Sequence, residues 1–168
     1  MTDLPLVLRH EQSSDTPAIA RLHERAFGPG RFARTAYRLR EGIEPIPSLC
    51  FIAQVGTMLV GSIRLNAIKA AGAPALILGP LTVEPAFSDR GIGSRLMEMA
   101  ISQARADGHR LIFLVGDLPY YSRFGFAMVP PGRLTMPGPV DSQRFLVLQL
   151  VEGAMADLSG VLIGDAGE

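Results

Sequence analysis

The sequence predicts an α/β fold, one domain with a mixed central sheet of about six to seven strands flanked by about four helices. Three observations carry this expectation. Segments with strand and helix periodicity alternate in the order β, two helices, three strands, then α, β, α, β, β. Residues 110–115 read as a strand, apolar without a break from Leu111 to Val115, as in a strand covered on both faces of a sheet. A chain of 168 residues suits one core rather than two. No repeat or linker interrupts it, so the domain is taken as residues 1–168, with a core over 6–151 and a tail over 152–168.

The elements follow in order. Leu6-Val7-Leu8-Arg9 reads as a first strand. Ser13-Ser14-Asp15 offers capping side chains, and Pro17 is tolerated in a first helical turn. Ile19, Leu22, Ala26 and Phe27 then recur at helical spacing until Gly28-Pro29-Gly30 stops the helix. A shorter helix is expected over residues 33–40, before Pro45 and Pro47 break the chain. Phe51-Ile52-Ala53-Gln54 and residues 58–65 flank the turn Val55-Gly56-Thr57 as a hairpin. Residues 75–83 make a third extended run, with a kink or bulge at Gly79-Pro80. From Gly91 to Ala106 a helix presents Leu96, Met97, Ala100, Ile101 and Ala104 as an apolar stripe, and Gly108 ends it. Asp117-Leu118-Pro119 opens another short helix that ends near Phe124. Residues 126–129 and 145–151 are the last two strands, separated over 130–139 by a loop too rich in proline for a regular element. The tail holds Leu158, Val161, Leu162 and Ile163 as its one apolar cluster and is expected to pack weakly or fray.

Composition excludes several classes. Sixteen Lys and Arg balance sixteen Asp and Glu, so the basic excess of a nucleic-acid-binding chain is absent. Arg31, Arg34, Arg38 and Arg40 cluster locally and read as a solvated helix face. The single cysteine, Cys50, excludes an intramolecular disulfide, and its apolar neighbours mark it as a small buried hydrophobe. Residues 1–10 lack a signal-peptide pattern, and no apolar run approaches the ~20 residues of a membrane span. No membrane or nucleic-acid partner is expected, and the location is expected to be cytoplasmic. No His, Cys and Asp set has metal-ligand spacing, so no metal is expected.

The strongest chemical signal joins Leu81-Thr82-Val83-Glu84-Pro85 to Ser88-Asp89-Arg90-Gly91-Ile92-Gly93-Ser94. A strand passes through a short loop into a helix whose first turn carries two glycines. Helix N-terminal amides are unpaired donors at the positive end of the helix dipole, and glycine lets a phosphate approach them closely. Arg90 and Ser94 can add donors, so the segment reads as a pyrophosphate cradle. A P-loop does not fit, because the chain has no Gly-Lys pair. A dinucleotide fingerprint does not fit either, because Gly91-Ile92-Gly93 continues with Ser94-Arg95-Leu96 and lacks the third glycine. A plain glycine-rich strand–helix turn remains the structural alternative.

Two motifs in the right order make the reading specific. Arg90-Gly91-Ile92-Gly93, after Leu81-Thr82-Val83-Glu84-Pro85, resembles the acetyl-CoA motif [QR]-x-x-G-x-[GA] of the GNAT acetyltransferases. Tyr120-Tyr121-Ser122-Arg123-Phe124-Gly125-Phe126 resembles the family's Tyr-x-x-x-Gly-Phe, and with Gly116-Asp117-Leu118-Pro119 before it is similar to the YhbS-type acetyltransferases. The likeness spans roughly residues 6–151 in element order and implies a GNAT-like fold. It implies that the backbone of Leu81, Thr82 and Val83 holds the pantetheine arm, and that Asp89, Arg90, Gly91, Ile92, Gly93 and Ser94 hold the pyrophosphate. It implies that Tyr121 protonates the departing thiolate, with Tyr120 as a neighbouring candidate. A phenol with a pKa near ~10 stays protonated for such a role at neutral pH. One position departs from the pattern: Ser88 replaces the motif's first Gln or Arg, and a long donor near the phosphates is lost.

The implied reaction is direct acetyl transfer from acetyl-CoA to a primary amine of a small molecule or peptide. Glu84 and Asp117, each at the end of a strand, are the candidate bases, and each reads equally as a helix cap or a solvated charge. His23 and Glu24 read as a surface face of the first helix. A non-catalytic CoA-binding or sensing module and a transferase for another acyl-CoA remain alternatives. Acceptor choice is assigned to residues 14–40 and 130–139, where Arg38, Arg40 and Arg133 stand among apolar residues, with Glu41 and Glu44 just beyond the first segment. The family resemblance implies that a homodimer can form.

Overall fold

The computed structural model describes residues 5–27 and 39–165. All seven expected strands are present: β1 (Leu6–His10), β2 (Phe51–Val55), β3 (Met58–Ala70), β4 (Ala73–Val83), β5 (Leu111–Val115), β6 (Ala127–Met128) and, numbered in chain order, β8 (Phe145–Gln149). Two strands were not expected, β7 (Leu134–Thr135) and β9 (Gly160–Gly164). Three α-helices lie among the described residues: α1 (Thr16–Phe27), α2 (Ile92–Ala106) and the single turn α3 (Leu118–Tyr121). The helix expected over residues 33–40 lies outside the described residues except for its last two, and so does most of the arginine cluster. No described helix is long and apolar enough to cross a membrane.

The sheet runs β1-β2-β3-β4-β5-β8-β6, and along this path only the β4–β5 pair is parallel. The crossover between β4 and β5 contains α2. Side chains on both faces are buried. Phe51, Ile63, Leu76 and Ile112 meet Leu96, Met97 and Ala100 of α2 on one side. Ile68, Ile77, Phe113 and Val147 form a second cluster with Leu162. Double coverage is why Leu111 to Leu114 reads as an uninterrupted apolar run, since all four are buried. On α2 the expected stripe is buried except for Ile101, which is half-buried.

The start of α1 is fixed by Asp15. Its carboxylate accepts the Gln12 amide at 2.8 Å and pairs with Arg9 at 2.8 and 2.9 Å. Ile19 and Leu22, one helical turn apart, are wholly buried.

Three expectations are corrected. The second and third strands of the sheet segment extend beyond 58–65 and 75–83 to meet in a further hairpin, because Ala71 and Gly72 both take positive φ and turn β3 directly into β4. The loop over 130–139 contains β7, whose Leu134 is buried against the second cluster. The tail does not fray. β2 pairs with β3 only as far as Ile63, so the far end of β3 has an open edge. β9 covers it, with Ile68, Lys69 and Ala70 opposite Gly164, Ile163 and Leu162.

Candidate active site

β4 carries the expected irregularity. Ile63 lies opposite Leu81 and Leu65 opposite Leu78, so Gly79 and Pro80 insert an extra residue into β4. On its other edge β4 pairs with β5 only at Leu76–Ile112 and Ile77–Phe113. Beyond that point the two strands part, and β4 continues through Leu81, Thr82 and Val83 without β5 alongside. A cleft therefore opens between the C-terminal ends of two parallel strands, where open α/β sheets place their ligands.

The chain leaves β4 through a tight connection. Pro85–Phe87 form a 3₁₀ turn, Ser88 Oγ donates back to the Pro85 carbonyl at 2.9 Å, and Asp89 takes φ 61°. Gly91, at φ 76°, is the N-cap of α2, a conformation in which glycine meets no steric penalty. No side chain caps this helix. The first amides of α2 are thus left with neither an intrahelical nor a side-chain acceptor. Ile92 packs its side chain into the core and offers the cleft only its backbone, whereas Asp89, Arg90 and Gly91 are exposed. Arg90 lies 5.0 Å over the Phe87 ring.

Gly93 marks where this turn meets the cleft. A Cβ built on it would lie 2.9 Å from the Tyr120 hydroxyl, 3.7 Å from Val83 and 3.9 Å from Leu81. The three groups come from α3 and β4, so the residues expected around the cofactor do converge. The Thr82 side chain points elsewhere: it is buried, lies opposite Ser62, and neither hydroxyl has a hydrogen-bond partner.

Tyr121 stands at the end of β5. Its ring lies over Gly116, leaving no room there for a Cβ, and meets Phe126 edge-on at 6.0 Å. Burial pushes its phenol up to about 12, with the Tyr120 and Asp117 charges adding to the rise and Arg144 opposing it. Tyr120 crosses Tyr121 at 87° with centroids 4.9 Å apart, so adjacent residues send their rings to different walls.

The candidate bases differ in surroundings. Glu84 is held by Arg25, at 2.6 Å from Nη2 and 3.0 Å from Nε. The pair borders a hollow of about 460 Å³ between α1 and the β2–β3 turn, lined also by Arg21, Met58 and Phe87. Asp117 is the exposed N-cap of α3, and its carboxylate makes no capping bond. His23, expected on a surface, is half-buried, and Glu24 is exposed. Cys50 is buried, donates to the Ile46 carbonyl and has its thiol pushed by burial to about 11. Among the described residues no group of three His, Cys, Asp or Glu could hold a metal ion.

Two participants escaped the sequence reading. Arg123, inside the Tyr-x-x-x-Gly-Phe segment, reaches back to donate from Nη2 to Ser94 Oγ at 3.2 Å. Gly116 makes room for the Tyr121 ring. The second motif was the signal for Arg123, but its direction depends on how α3 sits against α2.

Known proteins resemble this chain in sequence and in fold. Residues 47–128 match the acetyltransferase (GNAT) domain family. The uncharacterized N-acetyltransferase YjhQ of Escherichia coli (strain K12) is 32% identical over 117 residues, which span 67% of this chain and 65% of that protein. YhbS of the same strain, also an uncharacterized N-acetyltransferase, is 24% identical over 94% of this chain and 95% of its own. The crystal structure of Escherichia coli YhbS in complex with CoA shares the fold, with a TM-score of 0.83 at 22% identity over 98% and 92% of the two chains. A GNAT family acetyltransferase from Brucella melitensis in complex with acetyl-CoA gives a TM-score of 0.64 at 27% identity, over 84% and 94%.

Proposed function

We propose that this chain, whose residues 47–128 match the acetyltransferase (GNAT) domain family, transfers acetyl from acetyl-CoA directly to a primary amine of a small molecule or peptide. One observation carries the reading: β4 parts from β5 directly beside an uncapped helix start, with the half-buried Tyr121 at the end of β5. The CoA-bound relatives that share the fold support it.

The residues fit the cofactor. A strand edge without a neighbour suits an extended pantetheine arm, and the backbone of Leu81, Thr82 and Val83 would hold it. Pro80 has no N–H, so the first amide donor beyond the bulge is that of Leu81. The amides from Asp89 to Ser94 would take the pyrophosphate, with Gly91 and Gly93 allowing close approach and Arg90 adding charge.

The thioester supplies an activated acyl group, and the chain supplies positioning, a strand amide for the growing negative charge on the carbonyl oxygen, and proton transfer. As the amine nitrogen bonds to the acetyl carbon, the carbon–sulfur bond breaks. Tyr121 would give its proton to the departing sulfur. Glu84, held at the end of β4 by Arg25, would accept the amine proton through water.

Thermal unfolding with acetyl-CoA, CoA, ATP and NAD at equal concentrations tests this. A ligand at 100 times its dissociation constant stabilises the fold by about 2.7 kcal/mol. Acetyl-CoA and CoA alone should raise the melting temperature. No shift with CoA, or a larger one with ATP or NAD, ends the acetyltransferase reading.

A further inference from the structure

We propose that Arg123 is a phosphate-binding residue of this cleft, its guanidinium sharing the CoA pyrophosphate with the first amides of α2. The proposal rests on the acetyl-CoA reading above and adds a residue to it.

The starting point is a cation in an unfavourable place. Arg123 reaches across 29 residues of sequence to Ser94 Oγ in the first turn of α2. Helix N-termini carry partial positive charge, so a second positive group there is repelled unless an anion lies between them. Arg9, Arg25 and Arg64 each have a carboxylate oxygen within 2.8 Å. Arg123 has none among the described residues, and its one hydrogen bond goes to a neutral hydroxyl.

Its position is nevertheless defined. The guanidinium lies 5.4 Å from the Tyr120 ring centroid and 5.6 Å from that of Phe124. Tyr120 in turn brings its hydroxyl to Gly93. A stacked guanidinium with most of its donors uncommitted is organised to receive a planar pair of phosphate oxygens. The same placement accounts for Ser88. That short side chain bonds back to Pro85 and supplies no long donor, and Arg123 supplies one from the opposite wall.

The test is calorimetric titration of CoA, dephospho-CoA and pantetheine into the full chain and its R123Q and R123K variants. Losing one charge-assisted contact at this exposed site should weaken CoA and dephospho-CoA alike by about tenfold. The loss should shrink as salt is raised, be absent with pantetheine, and be partly recovered in R123K. Unchanged CoA affinity in R123Q, when the wild-type chain binds CoA, overturns the role of Arg123 and leaves the acetyl-CoA reading standing. An equal loss with pantetheine makes the residue a packing element for Tyr120 and Phe124, and a loss confined to CoA moves it to the 3′-phosphate. Both outcomes overturn the pyrophosphate assignment. A wild-type chain that binds neither CoA nor dephospho-CoA overturns the cofactor reading itself.

Discussion

Replacing Gly93 by alanine should separate binding from stability. The added Cβ would come within 2.9 Å of the Tyr120 hydroxyl, while Val83 and Leu81 stand at ordinary contact distances of 3.7 and 3.9 Å. Only the hydroxyl must move, and it is the far end of a side chain on a one-turn helix. The folded state therefore loses little, and alanine regains up to about 1 kcal/mol of helix propensity over glycine. Net stability should stay within about 1 kcal/mol of wild type. Binding should not. The methyl group fills the point where β4, α3 and the helix start converge, holding a phosphate off the first amides. One such bond to a charged oxygen contributes about 1.5–3 kcal/mol, so acetyl-CoA should bind about 10- to 150-fold more weakly. Calorimetric titration gives the affinity, and thermal melting without ligand gives the stability. A folded Gly93→Ala variant that binds acetyl-CoA as tightly as wild type would falsify the cradle, because phosphate could not then lie against that turn. A variant destabilised by more than about 2 kcal/mol would contradict the packing argument instead.

Tyr121→Phe should lower thiol release from acetyl-CoA by about 100-fold with little change in acetyl-CoA affinity; unchanged turnover favours another acid or a sensing module. With its phenol pushed up to about 12, Tyr121 should cause no alkaline loss of activity between about pH 7 and 10. Asp15→Asn should cost about 2 kcal/mol at pH 7, since the carboxylate both closes the capping box of the 3₁₀ turn leading into α1 and pairs with Arg9. Hydrogen bonding to Arg9 lowers the Asp15 pKa in the folded chain, so this stability is present above the unfolded value of about 3.9 and disappears as pH falls through the folded one. Melting curves should converge in acid; a gap of constant size down to about pH 2 would show that the charge is not responsible. Leu162→Ala should cost about 2–5 kcal/mol in denaturant titration, because the side chain is wholly buried. A loss below about 1 kcal/mol would mean that β9 is only loosely attached.

What could be read from the sequence has a common character. Seven strands were visible because their apolar residues follow a local period, and the proposed cofactor loop because Gly91 and Gly93 stand at the start of its helix. What could not be read depends on partners distant along the chain. Of the tail's apolar cluster, Leu162 is fully buried while Val161 and Ile163 are about half exposed. Its strand exists because β3, about a hundred residues earlier, outruns β2 and leaves an open edge. Asn66 and Lys69 hide that extension, since polar residues among small apolar ones do not read as a strand. Arg25 on Glu84 and Arg123 on Ser94 are likewise pairings that no local pattern records.

The two tyrosines show how one short turn serves two walls of the cleft. Successive residues of a helix point about 100° apart, so Tyr120 and Tyr121 cannot face the same way. Each meets a glycine: the Tyr120 hydroxyl rests at Gly93 on α2, and the Tyr121 ring lies over Gly116 after β5. Neither contact would survive a Cβ without movement. The two pairs hold α3 between the helix start and the end of β5, the places proposed for the phosphates and the reacting sulfur. Their proposed roles should therefore not exchange. A phenol at position 120 is directed at the phosphate side and cannot reach over Gly116 without unwinding α3. Removing the Tyr121 hydroxyl thus leaves the sulfur side without a phenol, even though another stands next to it in sequence.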